Sequence, residues 1–415
     1  MTIPSRGSAL SRRGFLQRSA AGTGALLLGP TLLGPSLSGC GGEGDVAVPT
    51  PAAGDLTRHG ALGAPNEFGV RLPAGFTGRI IATSDLPVIE GQEYVWHDFP
   101  DGGATYPTAN QGYIYVSNSE IPIVRGRSGV GAIRFNRNGD IVDAYPILTG
   151  STWNCSGGAT PWGTWLSGEE REGGLVWECD PTGATPGVER PALGLFIHEA
   201  VAVDPGRMRL YLTEDASNGR FYRFTPDALD DNGNAILTAG TLEVMRVTTG
   251  DTGPVTWLPV PDPSAADVAT RLQVPESTAF DGGEGVWFYD DEIYFTTKGD
   301  DRIWAHHVVD DTLRVVYDSN AVTDPILTGV DFILATSAGD LLVAEDGGDM
   351  QVVAISPSGD VAAIVQLEGH DGSEITGPAF DPTLRRLYFS SQRGLTGSGT
   401  GVTYEVTGPF FGPLA

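Results

Sequence analysis

One stretch constrains the fold more than any other: Asn154-Cys155-Ser156-Gly157-Gly158-Ala159-Thr160-Pro161-Trp162-Gly163-Thr164-Trp165-Leu166-Ser167-Gly168-Glu169-Glu170, because its plan recurs along the chain. A residue with a proton or metal to hold opens an apolar run, a turn follows, and a second β-rich run ends in polar residues. Five further segments keep this plan with a carboxylate where this one has Cys155, starting at Asp101, Glu199, Glu284, Asp331 and Glu374. The two strands of a hairpin are antiparallel, so the start of the first and the end of the second share one edge of the sheet. Repeats of about forty to fifty residues, built of short strands with Gly, Asp and Pro turns, are the pattern of a β-propeller. Six copies therefore predict an all-β, six-bladed β-propeller. First strands line the channel of such a fold, so one thiol and five carboxylates are expected at one mouth.

The remainder of the chain fits around that ring. With 58 glycines the sequence is poorly suited to helices, which leaves all-β as the default. Val70 to Thr83 ends in a short β-branched run without a hairpin partner of its own, and is expected to close the ring beside Val402 to Thr407. Residues 70–415 are read as a single propeller domain. The Glu199 and Glu284 anchors lie 85 residues apart, against 43 to 54 for the others, so an insertion is expected at about 227–280. It is read as a long excursion over one face, with Ala265 to Leu272 as its only helix; loops of this length are commonly lids.

Ahead of the propeller, Ser11-Arg12-Arg13-Gly14-Phe15-Leu16 precedes the apolar stretch Ala20 to Leu33, the pattern of a twin-arginine export signal. Leu37-Ser38-Gly39-Cys40 then matches a lipobox, whose cysteine becomes the lipidated first residue. The expected organisation is a signal over 1–39, a Gly/Pro/Ala-rich tether over 40–69, and a lipid-anchored periplasmic or cell-surface monomer. Residues 1–39 hold four arginines and no acid, which takes the formal charge of −27 to −31 for the remainder. So acidic a chain is repelled by nucleic acid and suits cations.

Six anchors and the strand tips near them cannot all stay ionised, close and unpaired, since each like charge and burial itself raise a carboxyl pKa. Cations are expected there. Hard oxygen ligands suit Ca²⁺ or Mg²⁺, whereas a thiolate selects iron, zinc or copper, so Cys155 among acids implies a mixed cluster. A disulfide between Cys155 and Cys179, or an inert buried thiol, remains open on spacing alone. His198 adjoins Glu199 and so faces the other side of its strand, in a core or turn role.

Taken together, NCSGGATPWGTWLSGEE (154–170), HEAVAVDP (198–205) with LYLTEDASNGRFYRF (210–224), GGEGVWFYDDEIYFTTKGDDRIW (282–304) and GSEITGPAFDPTLRRLYFSSQRG (372–394) resemble the PhoX-type alkaline phosphatases, over essentially all of residues 70–410. The resemblance implies a metal-dependent phosphomonoesterase acting on small phosphate esters, with Fe³⁺ and Ca²⁺ at the channel mouth. It also implies that Cys155 bridges the irons, that Glu199 and Glu120 are metal ligands, that Glu284 binds calcium or iron, and that Lys298 contacts phosphate. Asp101, Asp331 and Glu374 join the ligand set through the repeat alone. The chain departs from the family at Gly282, where an arginine that contacts phosphate is expected; Lys298 or Arg393 could replace its charge. A lactonase-like propeller with one divalent cation, and a non-catalytic surface module stiffened by calcium, are the alternatives that metal content would separate.

Overall fold

The computed structural model describes residues 56–411 of the 415-residue chain. The expected export signal, Cys40 and the first part of the expected tether lie outside those residues. The later part of that tether is docked against the fold. Leu56–His59 forms a 3-10 turn, Leu56 is fully buried in an apolar cluster with Val352 and Leu367, and His59 Nε2 lies 3.0 Å from the Phe410 carbonyl. One leucine that fills a core gap, worth roughly 2 kcal/mol, is enough to fix a short segment whose composition reads as linker.

Strands follow the β-branched and aromatic runs. After β1 (Val70–Arg71) and β2 (Thr77–Thr83) come β3 (Pro100–Pro107), β4 (Tyr113–Ser119), β5 (Gly129–Phe135) and β6 (Ile141–Thr149), an antiparallel meander paired in chain order. The meander recurs as β7 (Asn154–Ala159), β8 (Trp165–Glu169), β9 (Val176–Cys179) and β10 (Val188–Glu189). It recurs again as β11 (His198–Asp204), β12 (Arg209–Glu214), β13 (Phe221–Pro226) and β14 (Gly240–Val247), which is followed by β15 (Gly253–Pro259). Next are β16 (Gly283–Tyr289), β17 (Glu292–Thr297), β18 (Arg302–His307) and β19 (Thr312–Asp318), linked to the previous sheet where Gly253 and Pro254 of β15 pair with β19. β20 (Val330–Ala335), β21 (Leu341–Glu345), β22 (Gln351–Ile355) and β23 (Val361–Leu367) carry β1 on their outer edge. The chain ends with β24 (Ile375–Phe380), β25 (Arg386–Ser391) and β26 (Val402–Thr407), and β2 is the fourth strand of that sheet.

This is an all-β, propeller-like arrangement. β2 pairs with β26 from Thr77↔Thr407 to Thr83↔Val402, the closure expected from the sequence. Each first strand lies between two others: β3 beside β7 and β24, β11 beside β7 and β16, and β20 beside β16 and β24. Glycines allow that approach. A Cβ at Gly158 would stand 1.7 Å from the Val201 carbonyl oxygen, and one at Gly102 would stand 2.7 Å from Ser156 Cα. Asx turns join outer strands, as where Asn136 Oδ1 accepts the N–H groups of Asn138 and Asp140 at 2.8 and 3.1 Å.

The expected insertion has a different form. Its middle supplies β14, the outer strand of its own meander, and β15 beside it; that part is therefore sheet rather than a loop over one face. Nor does Ala265 to Leu272 form a helix. Asp262 accepts the N–H groups of Ser264 and Ala266, Ala265 has φ +50°, and only Thr270–Leu272 makes a 3-10 turn. The left-handed φ at Ala265 interrupts the helical run expected there.

Candidate metal centre

A β-bulge at the rim aims five of the six anchors. In β3/β4 the pairing steps from Pro100↔Ser119 to Gly103↔Ser117, leaving Asp101 and Gly102 opposite one residue. The same step leaves Cys155, Glu199, Glu284 and Asp331 at the first bulge position of β7, β11, β16 and β20. An extra residue bends the strand and re-aims its side chain. The sixth expected anchor is out of phase: in β24 the step runs from Thr376↔Ser390 to Ala379↔Tyr388, so Gly377 holds the equivalent position and Glu374 precedes the strand. Its motif has a similar length but places the acid three residues early.

These side chains converge. Asp101, Glu120 and Cys155 offer ligand atoms that all lie within 4.8 Å of one another, as do Cys155, Glu170 and Glu199, and again Glu199, Glu284 and Asp331. Cys155 and Glu199 each belong to two of these three nests. The Cys155 thiol donates to Glu199 Oε1 at 3.3 Å, while Glu199 Oε2 is buried without a partner. Cys155 and Cys179 are both free thiols, so the disulfide alternative falls away. Glu374 stands outside the nests, paired with Arg393 at 2.8 Å.

Glu170 and Gln392 complete the group, and neither was among the ligands expected from the sequence. Gln392 Nε2 donates to Asp101 Oδ2 at 2.5 Å and Glu120 Oε2 at 2.7 Å. Glu170 had a readable signal in the acidic doublets of the strand tips. Successive strand residues face opposite ways, so one acid of each doublet turns outward as scaffold. Glu169 accepts the N–H of Thr152 at 3.2 Å, Glu214 accepts that of Arg220 at 3.2 Å, and Glu345 accepts those of Thr328 and Gln351 at 3.0 and 2.9 Å. The following residue, Glu170, Asp215 or Asp346, is left for the centre.

Burial, and then neighbouring carboxylates, push Asp101, Cys155, Glu199 and Asp331 well above their ordinary pKa ranges. Glu170 rises to about 9 and Glu284 to about 7, with burial first in both cases. Burial alone would lower Lys298, but Glu284 at 2.7 Å and Asp215 at 3.0 Å more than offset it and hold the ammonium charged. The donor set fits cations: three overlapping oxygen nests, a sulfur shared by two, and an unpartnered carboxylate oxygen in the middle.

The family model for "Alkaline phosphatase PhoX" matches residues 117–322. The chain belongs to the PhoX alkaline phosphatase family. It is thus a member of a family of phosphatase enzymes. A comparison with the curated proteins finds no match. Among solved structures, Pseudomonas fluorescens PhoX in complex with vanadate, a transition state analogue, is similar at 18% identity and TM-score 0.69, with 85% of this chain and 98% of that one covered. A gluconolactonase from Xanthomonas campestris aligns at 13% identity and TM-score 0.46, over 84% of this chain and 98% of that one. At Gly282, where the PhoX resemblance leads one to expect an arginine, φ is +66° and a Cβ would meet Lys298 Cγ at 3.0 Å. The Lys298 stem fills the room that a side chain at 282 would need.

Proposed function

We propose that the chain is a metal-dependent phosphomonoesterase that hydrolyses small phosphate esters with an iron–calcium cluster at the mouth of a six-bladed propeller. The observation that carries this reading is the sharing of Cys155 and Glu199 between nests, which suits cations held side by side. Six blades follow if the nine-stranded sheet is counted as two meanders joined at β15, with the ring of first strands as support. Asp101, Glu120, Cys155, Glu170, Glu199, Glu284 and Asp331 would hold the metals; the thiolate favours iron and the all-oxygen nest favours calcium. When bound, the cations supply electrostatic stabilisation of the charge that builds on the phosphate oxygens.

The chain's own cations flank that centre. Lys298, fixed by Glu284 and Asp215, and Arg393, fixed by Glu374, would each present a positive charge to a phosphate oxygen, Lys298 from the place of the absent arginine. Export by the twin-arginine route, a lipid anchor at Cys40, and a monomeric, single-domain propeller complete the reading.

Elemental analysis of purified protein alongside 4-nitrophenyl phosphate turnover tests it. Wild type should carry iron and calcium, and Cys155→Ala should lose iron and turnover together. A variant that keeps full turnover without iron would sink the reading, as would a metal-loaded wild type that cleaves no phosphomonoester.

A further inference from the structure

The rim beside Cys155 carries exposed apolar side chains among charged ones, and its backbone has a conformation that the repeat does not require of a bulky residue. Two positions before the anchors of β3, β7, β16 and β20 stand Phe99, Trp153, Gly282 and Gly329, all left-handed, with φ of +46°, +51°, +66° and +61°. Glycine adopts such angles freely, whereas a bulky side chain there is a true outlier of the kind that concentrates at functional sites. Two blades thus place an aromatic ring where two others use glycine.

Trp153 is joined to the metal nests through its backbone. Its N–H donates to the Ile121 carbonyl at 2.9 Å, directly after Glu120, and its carbonyl accepts the N–H of Glu170 at 2.8 Å. Phe99 is tied in the same way, its carbonyl accepting the N–H of Glu120 at 3.1 Å, and the Arg125 guanidinium lies over its ring at 5.6 Å. Beside Trp153 runs the loop after Glu120, in which Ile123 N–H donates to Thr152 Oγ1 at 3.0 Å. Trp153, Ile123 and Val124 are 37, 49 and 89% exposed, so in a chain of formal charge −27 three large apolar side chains stand in solvent next to a cluster of carboxylates. Exposed apolar surface gathered at one site marks a binding surface.

We propose that Trp153, with Ile123 and Val124, forms an apolar shelf that seats the alcohol part of the ester, so that aryl and other apolar phosphate monoesters are preferred over those of small polar alcohols. The occupant follows from position: whatever phosphate the nests hold, the group attached to it extends along the rim, and this is the rim segment hydrogen-bonded to Glu120 and Glu170. The inference rests on the phosphomonoesterase reading and deepens it.

Phenylphosphonate and methylphosphonate, which resemble monoesters but resist hydrolysis, are the probes, with binding to the metal-loaded protein measured by calorimetry. Wild type is expected to bind the phenyl compound about tenfold more tightly, as a stacked ring would give. Trp153→Gly, the residue used at the same register position in two other blades, and the surface pair Ile123→Ser/Val124→Ser should each bring that ratio toward one. Equal affinity of wild type for the two probes, binding of neither, or a ratio untouched by both variants would overturn the shelf. Turnover of phenyl phosphate and methyl phosphate is measured alongside. If wild type shows the binding preference but cleaves neither ester, the phosphatase reading falls and the shelf stands.

Discussion

Lys298 is held by two carboxylates at once, Glu284 at 2.7 Å and Asp215 at 3.0 Å, and its stem lies against Gly282. Removing its charge while keeping its bulk leaves both acids facing each other across the gap. Lys298→Met is therefore expected to destabilise the metal-free protein by roughly 1–2 kcal/mol, a figure already reduced for the side chain's partial exposure. In the metal-loaded enzyme the same change should lower kcat/KM for phosphomonoesters by about 10- to 100-fold; unaltered kinetics would remove Lys298 from phosphate binding. His97 offers a test away from the metals. Burial first, and Arg127 next, lower its pKa to about 3, although a backbone hydrogen bond at Asn118 acts the other way. The folded-state value lies below the unfolded one, so its contribution to stability is complete above pH ~6.5 and is lost as pH falls toward 3. Between pH 6.5 and 5 this amounts to roughly 2 kcal/mol. His97→Gln should flatten that part of the curve of denaturant midpoint against pH, and an unchanged slope would show that the imidazole does not stay neutral in the fold.

At the scale of strands, the β-rich runs between Gly, Asp and Pro turns and the spacing of the acid-led hairpins made the meanders and their shared rim legible, along with the β2–β26 closure. Bulges were hidden, because one extra residue in a strand leaves no compositional trace; hence Glu374 was aligned with acids that it does not match and Gly377 was overlooked. The Glu169-Glu170 doublet was legible as a strand tip, but the choice between its two acids was hidden for a related reason. Which member of Glu169-Glu170 turns inward depends on strand phase at the tip, and only the pairing Asn154↔Glu169 fixes that phase. The β14–β15 pair was misread as a loop because its Pro- and Asp-rich flanks weigh against strand while its pairing with β13 is a tertiary fact. The packing of first strands on one another carries its own prediction. A methyl at Gly158 would meet the Val201 carbonyl oxygen at 1.7 Å, and neither backbone can move without parting β7 from β11. Gly158→Ala is expected to cost about 3 kcal/mol. Gly163→Ala, at a turn with φ +88° and nothing near its Cβ, should cost only about 1 kcal/mol by denaturant titration. Equal costs would mean that the inner ring has slack.

For the molecule as a whole, the issue is how a chain of formal charge −27 gathers seven acidic and thiol groups at one point and remains folded. Two kinds of repulsion are present, and salt separates them. Surface charges more than about 10 Å apart are screened at ~0.1 M salt, whereas buried groups such as Glu199 and Asp331 are shielded little by mobile ions. If the nests hold cations specifically, chelation should lower the melting temperature by several degrees and calcium should restore it, since ligand at a hundredfold excess over Kd stabilises by about 2.7 kcal/mol. Raising NaCl should lift the metal-free and metal-loaded forms together and leave the interval between them open, because the interval arises where salt does not reach. An interval that closes as salt rises would place the stabilising cations in a diffuse atmosphere over the acidic surface. Cys155 and Glu199 would then be buried neighbours without a shared ion.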